Sequence, residues 1–127
     1  MNIRILVADD DRLMRTFVAV CLQDIAEIRQ AGDGAEALIG LEQADIDLVL
    51  LDWDMPAPDG LAILKILRAR GFRKPVVMVT AEAGRLRVLE ALHAGASDYL
   101  VKPFESASLR RKVEKFCQPA AAETVTA

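Results

Sequence analysis

The chain contains no apolar run near the roughly 20 residues that a membrane-spanning helix needs, and no signal peptide is expected ahead of its first apolar stretch. It has no excess of positive charge: 16 Lys and Arg stand against 19 Asp and Glu, a net charge of −3, which argues against nucleic acid or an anionic membrane as the main partner. Aromatic residues make up only 5% of a chain that is 53% hydrophobic, so the core is expected to be aliphatic and alanine-rich. Cysteine occurs twice, and both Cys21 and Cys117 fall on apolar-periodic positions of expected helices. They are read as buried hydrophobes in a reducing cytosol, and the cytoplasm is the expected location. His93 is the only histidine; no motif marks it as a phosphorylated group, and a surface or helix-end role is expected. Neither G-x-G-x-x-G nor a P-loop follows the first apolar stretch, which weakens a nucleotide-binding reading.

What is present is organised around residues 48–60, L-V-L-L-D-W-D-M-P-A-P-D-G. Four aliphatic residues end abruptly in Asp52, and the Pro-rich segment beyond cannot continue a strand. A short apolar run bounded by turn signals is the pattern of a strand buried on both faces. Asp52 is thereby delivered to the rim of a sheet, where open parallel sheets bind ligands.

At 127 residues the chain suits one domain, long enough to bury roughly two thirds of its unfolded surface. Strands are expected over residues 3–8, 25–31, 47–51, 75–80 and 97–101. Helices are expected over residues 12–24, from Asp33 to about 44, from Asp59 to about 70, over 85–94, and from 105 or 106 to about 116. Leu13, Phe17, Val20 and Cys21 give the first helix its apolar stripe, and Leu61, Leu64 and Leu67 give the third helix its own. Asp33-Gly34-Ala35-Glu36 has the form of a capping box, and Gly71 and Gly95 close the third and fourth helices. Leu109, Val113 and Phe116 form the inner face of the last helix. The folded domain is expected over 1–118, followed by a disordered tail over 119–127. Alternating strands and helices imply a doubly wound parallel sheet covered on both faces, with right-handed crossovers.

Four of the five strands end in groups that handle phosphate or metal: Asp9 and Asp10, Asp52, Thr80, and Lys102. In a parallel sheet these ends share one edge. Carboxylates brought together there repel one another and call for a cation. An oxygen-only donor set points to Mg²⁺, with Mn²⁺ as a substitute. The Thr80 hydroxyl and the Lys102 ammonium would stabilise the oxygens of a transferring phosphoryl group, and Asp52, alone at its strand end, is placed as the nucleophile.

Taken in order, Asp9-Asp10, D-W-D-M-P from Asp52, Asp59-Gly60, Thr80-Ala81 and Lys102-Pro103-Phe104 resemble the receiver domain of two-component response regulators, in a layout similar to stand-alone regulators of the CheY kind. The resemblance runs from Ile3 to about Phe116. It implies a flavodoxin-like sheet of order 2-1-3-4-5 with five helices. It also implies that Asp52 is phosphorylated by a sensor histidine kinase or a histidine phosphotransfer protein, in a phospho-acceptor that is not a turnover enzyme. Mg²⁺ would be held directly by Asp10, Asp52 and the backbone carbonyl of Asp54, with Asp9 acting largely through water. Thr80 and Lys102 would contact the phosphoryl group, Tyr99 would be an aromatic switch moving with Thr80, and the bond before Pro103 would be cis. The output surface would be the face of the fourth helix, fifth strand and fifth helix, lined by Arg85, Arg110 and Arg111. It would bind a protein target, with the domain a monomer or a phosphorylation-dependent dimer. With no output domain in the chain, action on a partner in trans is expected.

The resemblance also implies that Asp54 and Glu82 flank the path of a water attacking the acyl phosphate, and both are acidic here. Asp11 is expected to cap the first helix, and Trp53 to pack at the rim, where its fluorescence would report on the site. Two other readings compete. Asp52-x-Asp54 matches the opening of haloacid-dehalogenase-type phosphatases, but here it closes the third strand and precedes Met-Pro. A receiver used only as a non-phosphorylated binding module conflicts with the complete set of Asp9, Asp10, Asp52, Thr80 and Lys102.

Overall fold

The computed structural model describes residues 3–82 and 84–117; the tail expected over 119–127 lies outside them. The elements follow in the order β1 (Arg4–Ala8), α1 (Arg12–Leu22), β2 (Glu27–Ala31), α2 (Gly34–Gln43), β3 (Leu48–Asp52), α3 (Gly60–Ala69), β4 (Val76–Thr80), α4 (Arg85–His93), β5 (Asp98–Val101) and α5 (Ser106–Phe116). All strand pairs are parallel, in the order β2-β1-β3-β4-β5. The doubly wound five-stranded sheet expected from the sequence is the one observed.

Strand alternation sorts the core into two layers. Leu6, Ala8, Val49, Leu51, Val76 and Met78 point to one face, where they meet Ala37 of α2, Ile63, Leu64 and Leu67 of α3, and Ala91 of α4. Ile5, Val7, Leu48, Leu50, Val77 and Val79 point to the other, against Val18 and Leu22 of α1 and Leu109 and Val113 of α5. Because β3 is central and covered on both sides, every one of its residues is buried, including Asp52. The edge strand β2 buries only Ala31, which explains its weak apolar pattern.

The stripe expected on α1 is corrected by the structure. Leu13 and Val20 are 79% and 59% exposed and Phe17 is 40% exposed, while Val18 and Leu22 are buried with Met14 and Cys21 packed beside them. The helix carries two apolar stripes that both satisfy helical spacing, the expected one at 13, 17, 20 and 21 and another at 14, 18, 21 and 22. Of the expected one, Cys21 alone packs against this core layer, half-buried. The second extends into Ile25 and covers more of the sheet, so it takes the core. Leu22→Ala is therefore expected to cost about 2–4 kcal/mol in a urea titration and Leu13→Ala about 0.5 or less; equal losses would contradict this orientation.

The caps behave as their residues dictate. Asp11, Asp33 and Asp59 accept from the backbone N–H of Leu13, Glu36 and Ala62. Glu36 completes its box one residue early, accepting from Gly32 N–H at 2.8 Å. Gly95 adopts a φ of +108°, the left-handed conformation that ends α4. Arg68, not singled out by any sequence pattern, donates to the carbonyls of Gly95, Phe72 and Lys74 and ties the ends of α3 and α4 to the start of β4.

Candidate phospho-acceptor site

The C-terminal ends of β1, β3, β4 and β5 bring Asp9, Asp52, Thr80 and Lys102 to one edge, as parallel pairing requires. Asp9 and Asp52 are each 3% exposed and Thr80 is fully buried, whereas Asp10 is exposed at the rim. One carboxylate oxygen from each of Asp9, Asp10 and Asp52 lies within 4.8 Å of the others. Lys102 Nζ is 2.8 Å from Asp9 Oδ2 and 3.3 Å from Asp52 Oδ1. Asp9 Oδ1 accepts from Asp11 N–H at 2.8 Å, and Asp52 Oδ1 from Asp54 N–H at 3.3 Å.

These neighbours set the charges. Burial, together with the Asp9 charge, raises the pKa of Asp52 to about 6 against the opposing pull of Lys102. Burial would lower the pKa of Lys102, but the hydrogen bond and charge of Asp9, joined by the charge of Asp52, outweigh it and raise it. One ammonium thus faces two buried carboxylates with a third at the rim. That excess of negative charge and the all-oxygen donor set fit a hard divalent cation held by Asp9, Asp10 and Asp52. The Asp54 carboxylate stands outside this group, because its oxygens are taken by Thr80 Oγ1, which donates at 3.2 Å, and by Arg87.

Arg87 is the residue that sequence reasoning missed. Its guanidinium pairs with Asp54 through Nη2 and with Glu82 through Nη1, at 3.3 Å for the latter, and lies 4.0 Å over the centre of the Trp53 ring. Trp53 itself is 4% exposed and belongs to the core layer against α3. The available signal was charge alone: Asp54 and Glu82 need a counter-charge, and Arg85 and Arg87 are the first cations after Glu82.

Beyond the acid cluster, Thr80 Oγ1 also accepts from Glu82 N–H at 3.2 Å. Tyr99 packs its ring against the core and donates its hydroxyl to the Glu82 carbonyl. Burial raises its pKa, helped by the Glu82 charge and opposed by Arg87. The peptide bond between Lys102 and Pro103 is cis, and so is the one between Ala57 and Pro58. Arg110 does not line the fourth-helix face: it donates to the Cys21 carbonyl and pairs with Asp24 at 2.7 Å, which puts it against α1. Its position one turn before the buried Val113 but beside α1 decides this. Arg85 is exposed at the start of α4, and Arg111 reaches Ser108 Oγ at 3.4 Å.

Residues 5–114 match the response regulator receiver domain family. The chain belongs to it. Among curated relatives, chemotaxis protein CheY-3 of Vibrio cholerae is 42% identical over 90% of this chain and 91% of its own length. Chemotaxis protein CheY of Pseudomonas aeruginosa is 40% identical over 88% and 94%. Among solved structures, the receiver domain of the Francisella response regulator 1452 superposes with a TM-score of 0.86 at 34% identity, covering 91% of this chain and 96% of that one. The protein is a CheY-like receiver domain of two-component signalling, a signalling protein by family rather than a turnover enzyme. This match does not favour the haloacid-dehalogenase or the non-phosphorylated reading. Receiver domains as a class work between histidine kinases and downstream targets.

Proposed function

We propose that Asp52 accepts a phosphoryl group from a phosphohistidine of a sensor kinase or histidine phosphotransfer protein. The observation that carries this reading is the placement of Asp52: a buried strand-end carboxylate beside Lys102 and within a three-carboxylate group. An Asp52 oxygen forms the bond to phosphorus as the histidine N–P bond breaks, and the imidazole nitrogen keeps the electron pair and takes up a proton. In the later hydrolysis, water forms the new O–P bond, the Asp52 carboxylate leaves, and inorganic phosphate is released. Bound Mg²⁺, or Mn²⁺ in its place, would neutralise charge on the phosphoryl oxygens. Asp9, Asp10, Asp52 and the Asp54 carbonyl would hold it. Lys102 would follow one phosphoryl oxygen, and the Thr80 hydroxyl another.

In the present arrangement the Thr80 proton is donated to Asp54. Turning it to a phosphoryl group on Asp52 would free Tyr99 and Glu82 to rearrange, shifting the population of the α4-β5-α5 face toward target binding. The downstream partner is a protein, and the domain acts as a monomer or a phosphorylation-dependent dimer. No helix among the described residues is long and apolar enough to cross a membrane, and a cytoplasmic site of action suits the reading. The test is intact mass after incubation with acetyl phosphate and Mg²⁺. One phosphoryl adduct is expected, dependent on the metal and absent in Asp52→Asn; an adduct that persists in that variant would remove Asp52 as the acceptor.

A further inference from the structure

Arg87 occupies a place that packing alone does not explain. Its side chain is 21% exposed, it lies on Trp53, and its Nε is buried with no hydrogen-bond partner among the described residues. Leaving a guanidinium N–H unpaired is costly, so the fork must be held by what its other nitrogens meet. Those are the carboxylates of Asp54 and Glu82, the two acids that flank the acceptor edge. Asp54 is tied to the reacting group from both ends of its own residue: its N–H donates to Asp52 Oδ1, and its carboxylate accepts the Thr80 proton. Asp54 Oδ1 faces Arg87 while Oδ2 faces Thr80, so the position of the guanidinium fixes where the carboxylate stands.

We propose that Arg87 is a positioning residue for phosphoryl transfer to Asp52, neutralising Asp54 and Glu82 and drawing the Asp54 carboxylate outward so that an incoming phosphoryl dianion is not repelled. The role rests on Asp52 being the acceptor. Without the guanidinium, two uncompensated negative charges border a site that already holds Asp9, Asp10 and Asp52, and an anionic donor meets a field of its own sign. The step affected is concrete: an Asp52 oxygen bonds to phosphorus while the donor's bond to phosphorus breaks, the N–P bond of a phosphohistidine or the bridging P–O bond of acetyl phosphate. The imidazole or acetate leaving group departs with its electron pair. Approach of the donor, rather than departure of the leaving group, is what Arg87 assists.

The experiment follows acetyl phosphate labelling of the whole protein in Mg²⁺, by intact mass against time, for wild type, Arg87→Ala, Asp54→Asn and the double variant. Arg87→Ala is expected to label about tenfold more slowly at low ionic strength. Removing the Asp54 charge as well is expected to restore most of the rate. Near 1 M salt, where screening acts within about 3 Å, the deficit of the single variant should largely vanish. A purely structural part for Arg87 would give a deficit that neither Asp54→Asn nor salt repairs, and that result overturns the proposal, as does labelling at the wild-type rate. If wild type itself takes no phosphoryl group, the acceptor reading fails and this role fails with it; a labelled wild type with an unrepaired variant sinks the Arg87 role alone.

Discussion

Asp52→Asn is expected to stabilise the metal-free domain by about 1–3 kcal/mol at neutral pH while abolishing phosphorylation. The pKa of Asp52 is raised to about 6 from an ordinary value of 3.8, chiefly by burial and by the charge of Asp9. A carboxyl group with a raised folded-state pKa binds more protons folded than unfolded between those two values. Stability therefore falls as pH rises from about 4 to about 6 and stays at the lower level above. Two pKa units correspond to about 3 kcal/mol, which is the ceiling for the gain on replacing the ionised group. Asn keeps an oxygen for the Asp54 N–H, and Lys102 keeps Asp9 at 2.8 Å, so no buried cation is stranded. Urea titrations near pH 4 should show the two proteins close together, and titrations near pH 7.5 should show the variant ahead. Adding Mg²⁺ should reverse the order, because a ligand that binds only the folded state stabilises the protein that binds it more tightly. An Asn variant less stable than wild type at pH 7.5 without metal would mean that Asp52 is held by favourable contacts rather than strained by its neighbours.

Much of this arrangement is legible in the sequence because it depends on the chain's local grammar. An aliphatic run that stops at a polar residue reads as a buried strand with its polar end at the rim; Asp52 and Thr80 close β3 and β4 in this way, and Asp9 and Lys102 directly follow β1 and β5. Parallel pairing then places them together without any further information. What stays hidden depends on which way a helix is rolled. The two apolar stripes of α1 are equivalent by spacing, and only the sheet beneath selects 14, 18, 21 and 22. The same holds for cations: Arg85, Arg87, Arg110 and Arg111 look alike in the sequence, yet one turns back onto Trp53 and another reaches across to Asp24. A long flexible side chain finds its partner only after the backbone has fixed what lies within reach. Arg68, with three carbonyl partners set by the closing turns of two helices, is a third case.

Glycine must follow the cap residue Asp59 because the backbone of β3 leaves no room for a side chain there. Gly60 opens α3 directly beneath the end of β3, its N–H donating to the Trp53 carbonyl at 2.9 Å. A Cβ on residue 60 would stand 2.2 Å from the Asp52 carbonyl oxygen and 2.7 Å from Trp53 Cα. Both are backbone atoms, so no side-chain rotation can relieve the contact. Either α3 withdraws from the sheet, uncovering Ile63 and Leu64, or the β3 end shifts and takes Asp52 with it. Gly60→Ala is accordingly expected to cost about 3 kcal/mol or more. Gly84→Ala is the matched control: it precedes α4 with a φ of −60°, and nothing among the described residues lies within 4 Å of an added Cβ. That change should be neutral or stabilising by a few tenths of a kcal/mol, through the unfolded chain's lost freedom. Urea titration separates the two, and equal midpoints would show that α3 does not press on the strand as described. If Gly60→Ala retains its fold, the strain must have gone into the β3 end, and slower labelling of Asp52 by acetyl phosphate follows. Gly60 and the placement of Asp52 are thus one structural requirement: the helix can come close enough to bury the strand that presents Asp52 only where its first residue has no side chain.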